Sequence, residues 1–242
     1  MNSEVQLRVE RISKKFGKVE ALSEVSFSVR RGEILGLIGP NGAGKTTLFE
    51  CLAGVLPDDG GSVRSGDRGL SVEDRSSLLF YLPDGIAPWP TQSVRWALDF
   101  VLGFWGGEKD VRDQVVLDLD IAPLLGSPIA TLSKGQRKRA LLAIGLLMPQ
   151  AILLADEPFD GLDLRQTRDI ARVLRSHASA GRTLFLSIHQ IADAARVCDR
   201  FVLLSGGRIR GEGTLDELSV LAAGRGASGS GADLEEVFLA LT

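Results

Sequence analysis

The stretch Gly39-Pro40-Asn41-Gly42-Ala43-Gly44-Lys45-Thr46 (GPNGAGKT) decides how the rest of this sequence folds. It follows a short apolar run, Glu33 to Ile38, which predicts a buried strand, and it leads into a helix predicted over Lys45 to Leu52. Its glycines permit a tight turn that points successive backbone N–H groups inward, and the helix N-terminus adds partial positive charge. We therefore predict a strand–loop–helix unit that binds an anion.

The same stretch matches the P-loop pattern G-x-x-x-x-G-K-[ST], which binds the phosphates of a nucleotide. Lys45 is expected to bridge the β- and γ-phosphates, and the hydroxyl of Thr46 is expected to ligate Mg²⁺. A glycine-rich turn with a purely structural use is the alternative. The predicted nucleotide contacts from this region are Gly39, Pro40, Asn41, Gly42, Ala43, Gly44, Lys45, Thr46 and Thr47.

A second predicted strand, Ala151 to Ala155, ends in two carboxylates, Asp156 and Glu157. Burying carboxylates without partners is costly, so this strand end predicts a cation or a polar site. Asp156 is expected to hold Mg²⁺, directly or through water, opposite Thr46. Glu157 is the candidate for polarising the attacking water, because adjacent residues at a strand end point in different directions. Two acidic residues that begin a surface loop would be the alternative for an isolated pair.

The composition limits the class of protein. The chain has 242 residues, of which 44% are apolar, so a disordered protein is excluded. The formal net charge of −3 excludes a strongly basic nucleic-acid binder, and no nucleic acid is expected as a partner. Cys51 and Cys198 are too few and too far apart for a disulfide framework or a zinc module. No apolar run is long enough to span a bilayer and no export signal is visible, so a cytoplasmic protein is expected.

Hydrophobic periodicity outside these two strands predicts the rest of the architecture. Alternating residues at Val5 to Ile12 and Val25 to Val29 predict antiparallel strands, and Phe201 to Glu212 predicts a hairpin. Helical spacing predicts one helix over about 93–119 and another that begins near Ser133. The predicted fold class is α/β, with a P-loop NTPase core around a mainly parallel sheet, an N-terminal antiparallel β layer and an α-helical subdomain.

Four further segments lie in a specific order around the P-loop. Leu132-Ser133-Lys134-Gly135-Gln136 resembles the LSGGQ signature of ABC-type ATPases, with Lys134 in place of one glycine. Asp160-Gly161-Leu162-Asp163 resembles the D-loop of that family, and His189 lies where the family has its switch histidine. Phe16 lies where the family places an aromatic residue that stacks on adenine. The resemblance covers nearly the whole chain.

The resemblance implies ATP and Mg²⁺ as cofactors, with Lys45, Glu157 and His189 as catalytic residues. It also implies a head-to-tail pair of domains, identical or different, in which Ser133, Gly135 and Gln136 of one domain contact the nucleotide of the other. His189 would hydrogen-bond the γ-phosphate; a polar residue that caps a helix over 191–197 is the alternative. Phe16 could equally be a core aromatic.

The implied domain organisation is a single ABC ATPase domain over residues 1–222, with a helical subdomain of about 88–148 inserted into it. The composition of the segment GRGASGSG predicts a flexible linker over 223–232. Apolar residues at helical spacing predict a docking helix over 233–242.

The clearest departure from the family is Tyr81-Leu82-Pro83-Asp84, where the family usually has a glutamine whose amide meets Mg²⁺ and the attacking water. Asp84 is shorter and charged, which makes it a candidate Mg²⁺ ligand. A turn role for Pro83-Asp84-Gly85 is the alternative. An acidic residue here resembles the variant found in export-type ABC systems, and Asp233 to Phe238 resembles the tail of the same subgroup.

The resemblance as a whole implies an ATP-hydrolysing motor subunit of an ABC transporter, of the export type, that drives separate transmembrane permease subunits and lies at the cytoplasmic face of the membrane. The family docks its permease on the helical region, so an exposed Trp89, Trp96 or Trp105 would be informative, although aromatic residues at this spacing are typical of a core. Two alternatives stay open: a soluble ABC ATPase that acts on ribosomes or DNA, and an ATP-dependent regulator with little hydrolysis. The sequence does not specify the transported substrate.

Overall fold

The computed structural model of this protein describes residues 4–224 and 233–242, which form ten strands and nine α-helices. The strands are β1 Val5–Phe16, β2 Val19–Arg30, β3 Ile34–Ile38, β4 Gly60–Ser65, β5 Arg68–Gly69, β6 Leu79–Leu82, β7 Ile152–Asp156, β8 Thr183–Ile188, β9 Arg200–Ser205 and β10 Arg208–Gly213. The helices are α1 Lys45–Ala53, α2 Val72–Leu78, α3 Val94–Trp105, α4 Lys109–Asp118, α5 Lys134–Leu147, α6 Leu164–Ser179, α7 Ile191–Val197, α8 Leu215–Ala223 and α9 Leu234–Leu241.

The strands form two sheets. A four-stranded antiparallel sheet has the order β2-β1-β4-β5, and a six-stranded sheet has the order β10-β9-β3-β8-β7-β6. Within the second sheet β9, β3, β8, β7 and β6 are parallel, and β10 pairs with β9 in the predicted antiparallel hairpin. The structure therefore confirms an α/β fold with a mainly parallel sheet and an N-terminal antiparallel layer.

The six-stranded sheet separates two hydrophobic cores. On β3, Ile34 and Ile38 belong to the core that the helices α3 to α9 cover. Leu35 and Leu37 belong to the core that α1 and the antiparallel sheet cover. This alternation follows from the period of two along a strand, and burial on both faces explains why the parallel strands are continuous apolar runs in the sequence.

The described region between β6 and β7 is helical, as predicted, but its first helix is shorter than expected. The single helix predicted over about 93–119 is two helices, α3 and α4, because α3 ends at Gly106 with a left-handed φ of 70°. α5 begins as predicted, with Ser133 as its N-cap, and ends before Pro149. The limits of a subdomain over about 88–148 stay a prediction.

The C-terminal helix α9 packs against α7 and α8 through the buried residues Leu234, Val237 and Leu241. A helix is therefore present in the C-terminal segment where the apolar spacing predicted one. Most of the linker predicted over 223–232 lies outside the described residues. None of the helices within 4–224 and 233–242 combines the length and the apolar character needed to cross a bilayer.

Candidate nucleotide-binding site

The P-loop connects the carboxyl end of β3 to α1 and is held closely by β2 and β9. A Cβ at Gly39 would lie 2.3 Å from the carbonyl oxygen of Leu204. A Cβ at Gly44 would lie 2.6 Å from the carbonyl oxygen of Ala21, and Gly44 also has a φ of 105°. Only glycine fits these two positions, so the loop can direct its N–H groups and the N-terminus of α1 toward one edge of the parallel sheet.

Lys45 is 6% exposed, and its side chain is enclosed by the P-loop to which it belongs. Its Nζ donates hydrogen bonds to the carbonyl oxygens of Gly39 at 2.8 Å and Pro40 at 3.2 Å. Burial lowers the pKa of the Lys45 ammonium, and the carboxylates of Glu157 and Asp156 oppose that shift. The loop therefore holds a desolvated cation next to the acidic end of β7.

The Asp156 carboxylate lies where the sequence placed it, at the end of β7 opposite Thr46. Thr46 Oγ1 donates a hydrogen bond of 2.7 Å to Asp156 Oδ2, and the hydroxyl of Ser187 donates to Asp156 Oδ1. Sequence reasoning did not single out Ser187, which pairs with Asp156 across β7 and β8. A small polar residue at the end of an apolar strand, two residues before His189, is the signal that could have found it.

The donors at this strand end fit Mg²⁺. Thr46 and Asp156 supply a hydroxyl and a carboxylate, which are the oxygen ligands that this hard cation prefers. Burial raises the pKa of the Tyr81 hydroxyl, and the charge of the neighbouring Asp156 acts in the same direction. Thr46 and Asp156 are therefore the residues that would hold the metal.

Glu157 has a strained backbone. Its φ is 47°, a left-handed value that is uncommon for a residue other than glycine. Its N–H is fixed by the carbonyl oxygen of Ser187 at 3.2 Å and by the Ser187 hydroxyl at 3.0 Å. Strain of this kind concentrates at functional sites, where the surrounding structure holds one side chain in a set direction.

The carboxylate of Glu157 also lies near the imidazole of His189. His189 Nδ1 is 3.6 Å from Glu157 Oε2, and the histidine side chain is partly exposed at the carboxyl end of β8. The helix-cap alternative for His189 is wrong, because Gln190 occupies the N-cap position of α7 and makes no side-chain capping bond. The structure thus brings together two of the three residues expected to act in catalysis.

Asp84 was expected to ligate Mg²⁺ together with Asp156, but its carboxylate lies in another group of acidic side chains. Carboxylate oxygens of Asp84, Glu157 and Asp160 lie within 4.8 Å of one another, and Asp156 is not a member of this group in the part of the chain described. Lys138 Nζ lies 2.5 Å from Asp84 Oδ1. Metal binding by Asp84 stays a prediction, and the observed partner of its carboxylate is a lysine.

The signature segment begins α5 with reciprocal capping bonds. Ser133 Oγ accepts a hydrogen bond from the N–H of Gln136 at 3.3 Å, and Gln136 Oε1 accepts one from the N–H of Ser133 at 3.0 Å. Gly135 packs closely on the D-loop, since a Cβ there would lie 2.9 Å from the carbonyl oxygen of Gly161. Over 4–224 and 233–242, no hydrogen bond or ion pair joins residues 133–136 to the P-loop of the same chain.

Phe16 lies at the end of β1 and is 50% exposed. The alternative that it is a core aromatic is therefore wrong. The ammonium of Lys14 lies over the Phe16 ring, with Nζ 5.8 Å from the ring centroid. The exposed ring could also stack against a flat ligand. Adenine stacking on Phe16 stays a prediction.

Exposed aromatic side chains cover the outer side of α3 and the turn before it, and we call this surface the aromatic face. Trp96 and Phe100 stack with ring centroids 5.1 Å apart, and Phe100 continues the row to Phe104 at 6.4 Å. The expectation that these tryptophans belong to a core is wrong, because burial of α3 falls on its other side. The spacing of 96, 100 and 104 is the signal that could have found the two phenylalanines. The aromatic face comprises Trp89, Trp96, Phe100, Phe104 and Trp105, each between 37% and 70% exposed.

Comparison with known proteins agrees with this fold. The sequence profile of a protein family described as ABC transporter matches residues 22–160. The SkfA peptide export ATP-binding protein SkfE of Bacillus subtilis is 29% identical over 210 residues, which cover 84% of this chain and 87% of that protein. The hemin import ATP-binding protein HmuV of Thermobifida fusca is 34% identical over 221 residues, which cover 86% of this chain and 77% of that protein.

The structural likeness extends over the full length of the chain. A solved structure described as the ATP-binding subunit of an ABC transporter superposes with a TM-score of 0.85 at 27% identity, and covers 98% of this chain and 99% of that one. Some other relatives are longer than this chain. The matched region covers 61% of the length of one of them and 13% of the length of another.

Proposed function

The chain belongs to the ABC transporter family of ATP-binding proteins, and on that premise we propose that it is the ATP-hydrolysing motor subunit of a membrane transporter. One observation carries the proposal: Thr46 donates a hydrogen bond to Asp156 at the end of β7, and the buried ammonium of Lys45 lies within electrostatic reach of both Asp156 and Glu157. A phosphate-binding loop, a metal-binding pair and a candidate base are the parts that phosphoryl transfer to water requires.

The proposed chemistry assigns one task to each of these residues. The N–H groups of the P-loop and the Lys45 ammonium bind the phosphates of ATP, and Lys45 leaves its own loop carbonyls to do so. Thr46 and Asp156 would hold Mg²⁺, which would supply positive charge to offset that of the phosphates. Glu157 accepts a hydrogen bond from the attacking water, and His189 stabilises the γ-phosphate from the neighbouring strand end.

A second ATPase domain is part of the proposal. Ser133, Gly135 and Gln136 begin a helix whose N-terminus favours an anion, but no contact ties this segment to the P-loop of its own chain within the described residues. We expect the signature of one chain to close over ATP bound to another, identical or different. ATP would then form part of the interface, and hydrolysis would loosen it.

The aromatic face supports a permease as the third component. Five exposed aromatic side chains in one row form an apolar surface of the kind that marks a protein interaction site in soluble proteins. We propose that an apolar helix of a transmembrane subunit packs there. This contact would hold the protein at the cytoplasmic face of the membrane and transmit closure of the ATPase pair to the permease.

Export is the proposed direction. It rests on the acidic residue Asp84 at the position of the usual glutamine and on the C-terminal segment Asp233 to Phe238, both of which resemble export-type systems. The relatives include a peptide exporter subunit and a hemin importer subunit, so the comparisons favour neither direction.

ATP binding and phosphate release by the purified protein test the enzymatic part. We expect robust turnover for the wild type, weakened ATP binding for Lys45→Ala, and retained binding without turnover for Glu157→Gln. Lys109→Ala is the matched control, because Lys109 is an exposed lysine at the start of α4, away from the P-loop. A wild type that binds ATP but releases no more phosphate than Glu157→Gln would favour the regulator instead.

Co-purification from membranes tests the permease part. The wild type is expected to bring transmembrane subunits with it, and Trp96→Ser combined with Phe100→Ser is expected to lose them. Leu239→Ser is the control, because Leu239 is 71% exposed on α9, outside the aromatic face. Equal recovery of membrane subunits with both variants would contradict docking at this surface.

A further inference from the structure

Two lysines on one side of α5 reach the two loops that flank Glu157. Lys134 and Lys138 are four residues apart, so they lie one above the other on the helix. Lys134 Nζ lies 2.5 Å from Asp160 Oδ2 in the loop after β7, and Lys138 Nζ lies 2.5 Å from Asp84 Oδ1 in the turn after β6. The first turns of the signature helix are thus tied to both loops of the same chain.

The pair between Lys138 and Asp84 is held in a nearly buried position. Lys138 is 7% exposed, and Asp84 is the one polar partner of its ammonium among the described residues. A buried ammonium without a counter-charge is strongly disfavoured. The carboxylate of Asp84 is therefore committed to Lys138, and its place in the turn depends on α5.

The pair between Lys134 and Asp160 is more exposed, but the lysine stem also packs on the loop. A Cβ at Gly161 would lie 2.8 Å from Cγ and Cδ of Lys134, so the side chain lies across the backbone of Gly161. An exposed ion pair contributes little to stability, so we infer that this pair serves to fix the position of the loop. The N–H of Asp160 in turn donates a 3.1 Å hydrogen bond to the carbonyl oxygen of Glu157.

The two ammonium groups also balance the charge of the carboxylates around Glu157. Asp84, Glu157 and Asp160 place carboxylate oxygens within 4.8 Å of one another, which would be repulsive without cations nearby. Two of the three carboxylates have a lysine partner, and the third, Glu157, is the one expected to meet water. Removing either lysine leaves an unpaired negative charge beside Glu157.

We propose that Lys134 and Lys138 are positioning residues for Glu157: together they fix the loops on both sides of it and make the direction of its carboxylate depend on the position of the signature helix. The proposal rests on the proposed function and deepens it. It assigns Asp84 to Lys138 in place of Mg²⁺, and it gives the helical region a direct connection to the residue that polarises water.

Hydrogen–deuterium exchange of the nucleotide-free full chain tests the tethering without any need for activity. Lys134→Met is expected to raise the exchange rate of the amides of residues 159–163 about threefold, because its ion pair is exposed, and Lys138→Met that of residues 84–87 about tenfold or more. Because Lys138 is buried, Asp84→Asn combined with Lys138→Met gives a second variant in which no charge is left unpaired. Lys109→Met, the loss of an exposed lysine in the same region, is expected to change neither segment.

Steady-state kinetics provide the second readout. Each lysine variant is expected to lower kcat about tenfold or more while KM for ATP stays within about threefold, because a displaced carboxylate impairs the reaction more than binding. Lys134→Arg is expected to recover most of the loss. Unchanged exchange in both loops, or kcat within about twofold of wild type for both folded methionine variants, would overturn the proposal. If the wild type shows no turnover, the proposed function fails, and the exchange experiment alone decides the role of the lysines.

Discussion

At the scale of single residues, the site depends on backbone positions that admit no side chain. Gly39 has no unusual φ, yet a Cβ there would lie 2.3 Å from the carbonyl oxygen of Leu204, which belongs to the paired backbone of β9. A strand backbone cannot move away without breaking its ladder. The loop must therefore shift if Gly39 gains a side chain, and its N–H groups shift with it.

We predict that Gly39→Ala lowers the affinity for ATP at least about tenfold, because the displaced loop no longer directs its amides at the phosphates. Isothermal titration of ATP measures the effect. Gly126→Ala is the matched control, since a Cβ at Gly126 meets nothing within 4 Å. An unchanged affinity for Gly39→Ala would show that the loop tolerates the shift.

Sequence motifs predicted residues that are expected to contact phosphate and metal, but not the residues that hold those side chains in place. Asp156 and Thr46 were expected to face each other, and their 2.7 Å hydrogen bond agrees with that expectation. Ser187 and Lys138 were missed, because their roles depend on the neighbour of β7 in the sheet and on the side of α5 that faces Asp84. Contacts of this kind depend on tertiary packing, which motif spacing along the chain does not encode.

At the scale of elements, helix ends explain where the sequence prediction was correct and where it was not. Ser133 has a hydroxyl that caps α5 and a glutamine three residues later, so that start could be predicted. The end of α3 depends on Gly106 and its left-handed φ, inside a segment that is apolar enough to continue a helix. Periodicity alone therefore joined two helices into one.

The last turn of α6 contains an ionisable group whose environment opposes its charge. His177 lies near the C-terminus of α6, where the helix dipole favours a protonated histidine. Burial and the nearby guanidinium of Arg182 nevertheless lower the pKa of His177 below the ordinary histidine value of 6.5, and Asp118 opposes the shift only in part. The folded chain therefore binds this proton more weakly than the unfolded chain does.

We predict that acidification destabilises the wild type more than His177→Gln. Well above pH 6.5 the histidine is neutral in both states and its contribution is constant. As the pH falls below 6.5, the unfolded chain takes up the proton first, so the free energy of unfolding decreases. Urea unfolding of both proteins from pH 8 to pH 5 measures the difference, and parallel curves over that range would contradict the prediction. Other titrating groups cancel because both proteins contain them.

At the scale of the whole molecule, the order of the strands places the parts of the site. β3, β8 and β7 are neighbours in the sheet, so the P-loop, His189 and Glu157 follow adjacent parallel strands and meet at one edge. The sequence predicted these strands and their motifs, but the order of the sheet was not predicted from periodicity. The resemblance to ABC-type ATPases predicted the fold class, which the structure confirms, but it was not used to predict the strand order.

The signature segment, which makes no hydrogen bond or ion pair with the P-loop of its own chain within the described residues, leads to the last prediction. Ser133 caps the N-terminus of α5 at the surface, and within residues 4–224 and 233–242 nothing joins it to the chain's own P-loop. Hydrolysis would normally release a second chain bound through ATP. Removing the carboxylate of Glu157 should keep the nucleotide intact and therefore trap the pair.

We predict that Glu157→Gln forms a dimer in ATP and stays a monomer in ADP, as measured by size-exclusion chromatography with light scattering. Glu157→Gln combined with Ser133→Arg is expected to bind ATP and stay monomeric, because the bulky side chain blocks the surface that faces the partner's nucleotide. Glu157→Gln that is saturated with ATP yet monomeric would contradict a homodimer. A dimer that forms equally without nucleotide would contradict ATP as part of the interface, since the shared phosphates are the reason for the pair to close.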